Sequence, residues 1–170
     1  MLILRSGCMD LKSTVRVIGG VSRVGKSTYA RTLAACLGHA YIDMDEQLLM
    51  VWGEAGSIRD CFNALGESAF RELEAETYLQ WKPQPDSVIA LGGGALCDRD
   101  ILKHTKTWGQ CGVLWQPFHI IQQRWSHDAP MGLHPRLWYD TYIQRVRACW
   151  AWSVYHWPHD PTELCADHIE

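Results

Sequence analysis

Along this chain, short unbroken apolar runs alternate with longer stretches in which apolar residues recur every three or four positions. The first pattern suits strands buried on both faces and the second suits helices with one buried side. Thr14–Ile18 is the first run, and the spacing then predicts a helix over Thr28–Leu37, stopped by Gly38. Ala40–Ile42 predicts a second strand and Glu46–Trp52 a helix, broken at Gly53–Gly56. Ser57 caps a short helix, and from Gly66 to Trp81 a further helix places Phe70, Leu73, Thr77 and Tyr78 on one side. After the linker Lys82–Asp86, Ser87–Leu91 is a continuous apolar strand running straight into Gly92-Gly93-Gly94.

The second half repeats the alternation. Asp98–Lys103 predicts a short helix, Gly112–Trp115 a strand, and Pro117–Trp125 a helix with proline in its first turn. Ser126–His134 is polar and punctuated by glycine and proline, a candidate lid between two helices. Pro135–Trp152 predicts a long helix, Val154–Trp157 a weak fifth strand, and Pro161–Ile169 a last helix. Strand and helix in strict alternation predict an α/β fold, a parallel sheet with helices on both faces. Residues 1–13 are expected to form a loose N-terminal extension of a single domain spanning 1–170.

Composition changes this picture little. A length of 170 residues suits one domain, and 47% hydrophobic with 21% charged residues is ordinary for a globular chain. A net charge of −3 gives no reason to expect a nucleic-acid or membrane surface, and no apolar run approaches the ~18 residues of a membrane span. Ser6-Gly7-Cys8 invites comparison with a lipoprotein cleavage site, but no basic segment and adequate apolar stretch precede it, so no signal peptide is expected. Seven cysteines without a Cys-x-x-Cys pair argue against a zinc site and a disulfide framework, and point to reduced thiols in the cytoplasm. Six of the nine tryptophans fall between Trp108 and Trp152 and are expected to fill core and loops, because no basic patch accompanies them.

The chemistry concentrates at strand ends. Gly20-Val-Ser-Arg-Val-Gly25-Lys26-Ser27-Thr28 fits the phosphate-binding loop, with a strand before it and a helix after it. Such a loop turns backbone N–H groups inward around phosphate oxygens, and the following helix directs its positive end at them. Arg23, Val24, Gly25, Lys26, Ser27 and Thr28 are therefore the candidate nucleotide-binding residues. Lys26 would reach the β- and γ-phosphates of ATP, and the Ser27 hydroxyl would bind Mg²⁺. Asp43 and Asp45 stand one residue apart at the end of the second strand, where ligands of open α/β sheets sit. One can face Mg²⁺ and the other a second substrate; alternatively an Asp there simply caps the next helix. Arg71 is either a solvated partner of Glu67 or Glu74 or a cation that binds a substrate carboxylate. Three glycines closing a strand allow a ligand close to the backbone.

These residues resemble the shikimate kinase family of phosphate-loop kinases. The likeness runs from Val15 to Ile169 and rests on GVSRVGKST (20–28), IDMD (42–45), GESAFRELE (66–74) and LGGGA (91–95). It implies a three-layer α/β/α fold with a five-stranded parallel sheet of order 2-3-1-4-5. It implies transfer of the ATP γ-phosphoryl group to the 3-hydroxyl of shikimate by a cytoplasmic monomer. By motif, Lys26 holds phosphates, Ser27 ligates Mg²⁺ and Asp43 supports the metal. Asp45 binds the acceptor hydroxyls as candidate base, and Arg71 pairs with the substrate carboxylate as a bidentate fork. Gly93 and Gly94 bring backbone against the substrate ring, and Arg124 aligns with an arginine near adenine. A second carboxylate-binding arginine is implied on the last long helix, with Arg145 the better-spaced choice and Arg147 the alternative.

Two departures stand out. The family's lid carries Arg-Pro-Leu, whose arginine reaches the transferring phosphates, and here the stretch is Ala129-Pro130-Met131. Arg23 and Arg136 are the candidate replacements. The family's Arg-x-Pro-x-Tyr continuation after the second substrate arginine is also missing. A related small-molecule kinase, such as gluconate kinase, and a nucleotide-binding module without transfer are the alternative functions.

Overall fold

The computed structural model of the chain describes residues 15–153 and 155–156. The expected N-terminal extension and the expected helix over 161–169 lie outside the described residues. Strands β1 (Val15–Gly19), β2 (Ala40–Asp43), β3 (Ser87–Ala90) and β4 (Gln110–Val113) form a parallel sheet in the order β2-β3-β1-β4. Of the expected fifth strand only Tyr155–His156 (β5) is described, a two-residue strand added parallel to β4 at the edge.

The strand sequences explain why both faces are covered. Val17, Ile89, Cys111 and Val113 pack into one apolar cluster, with Met44, Tyr78, Ile101, Trp108 and Trp152. Ile18, Val88 and Ala90 point the other way, into a cluster with Tyr29, Leu33, Ile121, Trp125 and Tyr142. Successive strand residues face opposite sides, so a sheet between two helical layers needs unbroken apolar runs.

Helices α1 (Lys26–Leu37), α2 (Met44–Trp52), α3 (Ile58–Gln80), α4 (Arg99–Thr105), α5 (Phe118–His127) and α6 (Trp138–Trp152) follow the expected order. α1 begins two residues before the expected start, because Lys26 and Ser27 are already helical. α2 also begins two residues early, with Asp43 as its N-cap. The two expected helices around Gly66 run together as α3, bent where Gly66 takes φ 76° and ψ 170°. That conformation is open to glycine and costly for other residues, so the residue ending the first segment is also the one that can turn the chain into the second. A capping box joins Ser57 and Asp60 at the start of α3.

β4 lies two residues before the strand expected over 112–115. Its pairing runs from Arg16↔Gln110 to Gly19↔Val113, so the register against β1 decides the ends. The polar Gln110 and the small Cys111 hid two buried strand positions, while Trp115 is exposed beyond the strand. The candidate lid is shorter than expected: α5 absorbs Ser126 and His127, and a single turn of 3₁₀-helix at Pro135–Leu137 precedes α6. Trp108, Trp125 and Trp152 are buried, as expected of core filler, whereas Trp115 and Trp150 are exposed. Among the described residues no helix is long and apolar enough to cross a membrane.

Candidate active site

The carboxyl ends of β1, β2 and β3 and the loop after α5 enclose one cleft of about 710 Å³. The phosphate loop contributes Ser22, Arg23, Gly25, Lys26, Ser27 and Thr28, and the first turn of α2, just past β2, contributes Asp45. Arg71 and Glu74 enter from α3, Gly92–Gly94 from the end of β3, and Arg145 from α6. Parallel pairing alone brings these ends together, because β1 lies between β3 and β4 and β2 lies beside β3.

Lys26 is buried at the start of α1 and donates to the Val21 carbonyl at 3.0 Å, across its own loop. Burial pushes its pKa down, against the pull of the Asp45 and Asp43 carboxylates. Val24 is buried and supports the loop from beneath. α5 holds the loop from outside: the Arg124 guanidinium donates to the Arg23 carbonyl at 2.6 Å, and the Trp125 indole N–H donates to the Ser22 carbonyl at 3.1 Å. Arg124 therefore lines the cleft and also braces the loop, and Trp125 is a brace that its place in an apolar run did not disclose.

Asp43 makes the helix cap that one reading of it supposed, and it also meets Ser27. As N-cap of α2 it accepts from the Asp45 backbone N–H at 3.1 Å. Its other oxygen accepts from the Ser27 hydroxyl at 2.9 Å and the Tyr41 hydroxyl at 2.6 Å. Burial and the Asp43 charge push the Tyr41 hydroxyl up to about 12, so it remains a donor to this carboxylate. A hydroxyl beside a carboxylate is a hard-oxygen pair that fits Mg²⁺, a cation commonly bound by one or two carboxylates with phosphates and water. The fit lies in donor type.

Asp45 stands deeper, against Gly92, where an added Cβ would come within 3.0 Å of its Oδ1. Burial, and then the Asp43 charge, raise its pKa to about 6, with Lys26 opposing. A carboxylate held near 6 is ionised at neutral pH yet able to take a proton, the range expected of a general base. Tyr78 closes the floor, its hydroxyl accepting from the Gly92 N–H at 2.7 Å.

Arg71 pairs with the buried Glu74 at 2.6 Å, as its bland reading supposed, and also faces the cleft. A Cβ on Gly94 would stand 3.4 Å from Arg145 Nη2 and 3.6 Å from Arg71 Nη1. Two guanidinium groups thus converge over one glycine. Burial and the Arg71 charge lower the Arg145 pKa, opposed by Cys97 and Glu74, so an anion placed between them would be favoured. Arg147 is exposed and does not line the cleft, so geometry separates it from Arg145. Gly93 has a different neighbour: an added Cβ would fall 2.6 Å from Ser22 Cα and 2.7 Å from Ser22 N. The close approach that needs glycine there is between β3's loop and the phosphate loop.

Of the two candidate replacements for a lid arginine, Arg23 lines the cleft and pairs with Asp128, while Arg136 is exposed and does not line it. Arg59 was missed. It sits in the first turn of α3, lines the cleft, and donates to Asp128 Oδ1 at 2.7 Å and to the Ala129 carbonyl at 3.1 Å. A cation in a helix's first turn, where the dipole disfavours it, was the available signal.

Residues 23–146 match the family model for shikimate kinase. A shikimate kinase of Thermus thermophilus is 32% identical over 135 residues, covering 79% of this chain and 71% of the relative. That of Chlorobaculum parvum is 43% identical over 114 residues, covering 66% and 60%. That of Streptomyces coelicolor is 43% identical over 84 residues, covering 49% and 48%, so this chain's match spans about half of that relative's length. Among solved structures, the shikimate kinase of Aquifex aeolicus superposes with a TM-score of 0.74 at 22% identity, covering 91% of this chain and 94% of that one. The shikimate kinase of Acinetobacter baumannii in complex with shikimate gives 0.73 at 21% identity, covering 91% and 89%. At such identities the superpositions show the fold.

Proposed function

The chain belongs to the shikimate kinase family, and on that premise we propose that it transfers the γ-phosphoryl group of ATP to the 3-hydroxyl of shikimate. The observation that carries this reading is the convergence of Arg71 and Arg145 over Gly94, in the same cleft as the phosphate loop and Asp45. Two cations beside a half-buried carboxylate suit a substrate with an anionic group at one end and hydroxyls at the other.

Arg71 and Arg145 clamp the shikimate carboxylate, and Glu74 holds Arg71 in position for it. Gly92–Gly94 form the wall against the ring. Asp45 orients the 3-hydroxyl and accepts its proton as the phosphoryl group moves. Because phosphoryl transfer passes through a loose transition state, orientation and charge neutralisation carry most of the rate. Lys26 and the backbone of Arg23–Thr28 hold the β- and γ-phosphates, and Arg124 stands beside the adenine end. Ser27 and Asp43 would hold Mg²⁺, which when bound neutralises phosphate charge. We read the short β5, beside β4, as the fifth strand of the order 2-3-1-4-5.

The test is ADP release by purified protein with MgATP, with shikimate and with gluconate as a control. Shikimate-dependent turnover, lost in Arg71→Ala through a raised shikimate KM, is expected. Turnover on gluconate alone would assign the cleft to a different acid. ATP binding without turnover on either would leave a nucleotide-binding module.

A further inference from the structure

Ala129 occupies the lid position where the sequence motif would carry a cation, yet the space around it is not without one. The carboxylate of the preceding residue, Asp128, accepts from two guanidinium groups. Arg59 reaches it from α3 at 2.7 Å, and Arg23 reaches it from the phosphate loop. Arg59 also donates to the carbonyl of Ala129 itself, at 3.1 Å. All four residues line the cleft that holds Lys26 and Ser27.

Three features indicate that this arrangement serves a ligand. Asp128 brings one negative charge to two positive ones, so the cluster keeps a net positive charge at the cleft's mouth. Arg59 stands in the first turn of α3, where the helix dipole opposes a cation, so helix stability does not account for it. Arg23 holds a left-handed backbone, φ 66°, which is unfavourable for a non-glycine residue, and its side chain reaches the lid at Asp128.

We infer that Arg59 is the phosphate-contacting cation of this enzyme, supplied from α3 in place of the lid, and that Asp128 occupies its guanidinium until the polyphosphate of ATP displaces it. The inference rests on the kinase reading of the cleft. A polyphosphate carries several negative charges and accepts bidentate bonds from a guanidinium, so it competes well against a single half-exposed carboxylate. Arg59 and Arg23 then turn from Asp128 to the phosphate, and Arg59 holds the lid through the Ala129 carbonyl.

The test compares Arg59→Ala, Arg59→Lys, Asp128→Asn and the double variant Arg59→Ala/Ala129→Arg with the unaltered protein. MgATP affinity is measured by calorimetry, shikimate KM and kcat by ADP release, and folding by thermal unfolding. Arg59→Ala is expected to lower kcat by about 10²-fold or more, as loss of a phosphate-facing arginine does, with shikimate KM little changed. It is also expected to weaken MgATP binding several-fold. Arg59→Lys should recover part of both losses, and Ala129→Arg should restore kcat in the Arg59→Ala background. Asp128→Asn removes the competing anion and should tighten MgATP binding, a gain that a purely structural ion pair would not produce. Folded Arg59→Ala protein with unchanged kcat and MgATP affinity would overturn the inference, and so would weaker MgATP binding by Asp128→Asn. If the unaltered protein binds MgATP but does not phosphorylate shikimate, the substrate reading fails separately. The MgATP affinities of the Arg59 and Asp128 variants then decide this inference by themselves.

Discussion

Asp45 is the residue whose environment most affects what the chain can do. Its pKa, raised to about 6 by burial and the neighbouring Asp43 charge, lies above the ordinary aspartate value of 3.8. The folded protein therefore keeps this proton over a pH window in which the unfolded chain has released it. Protons bound in excess by the folded state mean that stability falls as pH rises from about 3.8 to about 6, and the full cost is present above that window. Asp45→Asn should remove this cost, stabilising the nucleotide- and metal-free protein at pH 7–8 by about 1–3 kcal/mol. Urea unfolding in EDTA at pH 4 and pH 7.5 checks it: the variant's advantage should appear only at the higher pH. Turnover should move in the opposite direction, and an Asn variant with near-normal kcat would remove Asp45 from the role of base. The same side chain would thus weaken the fold and serve the chemistry, as strained functional groups often do.

Between elements, the glycines that end β3 divide their work. The missing Cβ of Gly93 is what lets the phosphate loop pass at Ser22, whereas a Cβ on Gly94 would touch Arg145 and Arg71 at ordinary contact distance, on the face of the cleft where they converge. Gly93→Ala would have to push backbone, since its Cβ would fall within 2.7 Å of Ser22 N and Cα. Gly94→Ala would meet only side-chain atoms, at 3.4 Å or beyond. Gly93→Ala is expected to weaken MgATP affinity by tenfold or more and to destabilise the fold by about 1–3 kcal/mol. Gly94→Ala should spare MgATP affinity and raise the KM for the acid substrate. Calorimetry with ATP beside substrate titrations separates the two. Three consecutive glycines marked this strand end as unusual, but two adjacent ones facing different partners became visible only with β1 and β3 side by side.

Across the whole molecule, two apolar layers enclose the sheet and set which thiols are reachable. Cys36 is exposed, whereas Cys111 and Cys149 are buried among the strands and α6. Burial pushes the Cys111 thiol up to about 12 and the Cys149 thiol to about 11, so at pH 8 neither supplies useful thiolate. Iodoacetamide at that pH should label Cys36 in the folded protein and reach Cys111 and Cys149 only after denaturation, as read by peptide mass spectrometry. Early labelling of Cys149 would mean that the core beneath the phosphate loop opens in the native state.

The phosphate loop, the paired aspartates, Arg71 and the alternation of strand and helix are local patterns, so the sequence by itself determined the fold class and the family resemblance. Each depends on residues within a few positions of one another, where backbone geometry and helix or strand periodicity leave few choices. The tertiary structure alone decided the ends of β4, because they follow from register against β1 and its buried polar positions carried no apolar signal. It also put Arg145, the better-spaced of the two arginines, in the lining of the cleft and left Arg147 exposed, a difference of helix face that follows from how α6 packs. The ion pairs joining Arg23 and Arg59 to Asp128 connect residues 105 and 69 positions apart, counting from Asp128. Contacts at that separation depend on how α3, α5 and the phosphate loop pack together, and no short stretch of sequence encodes them.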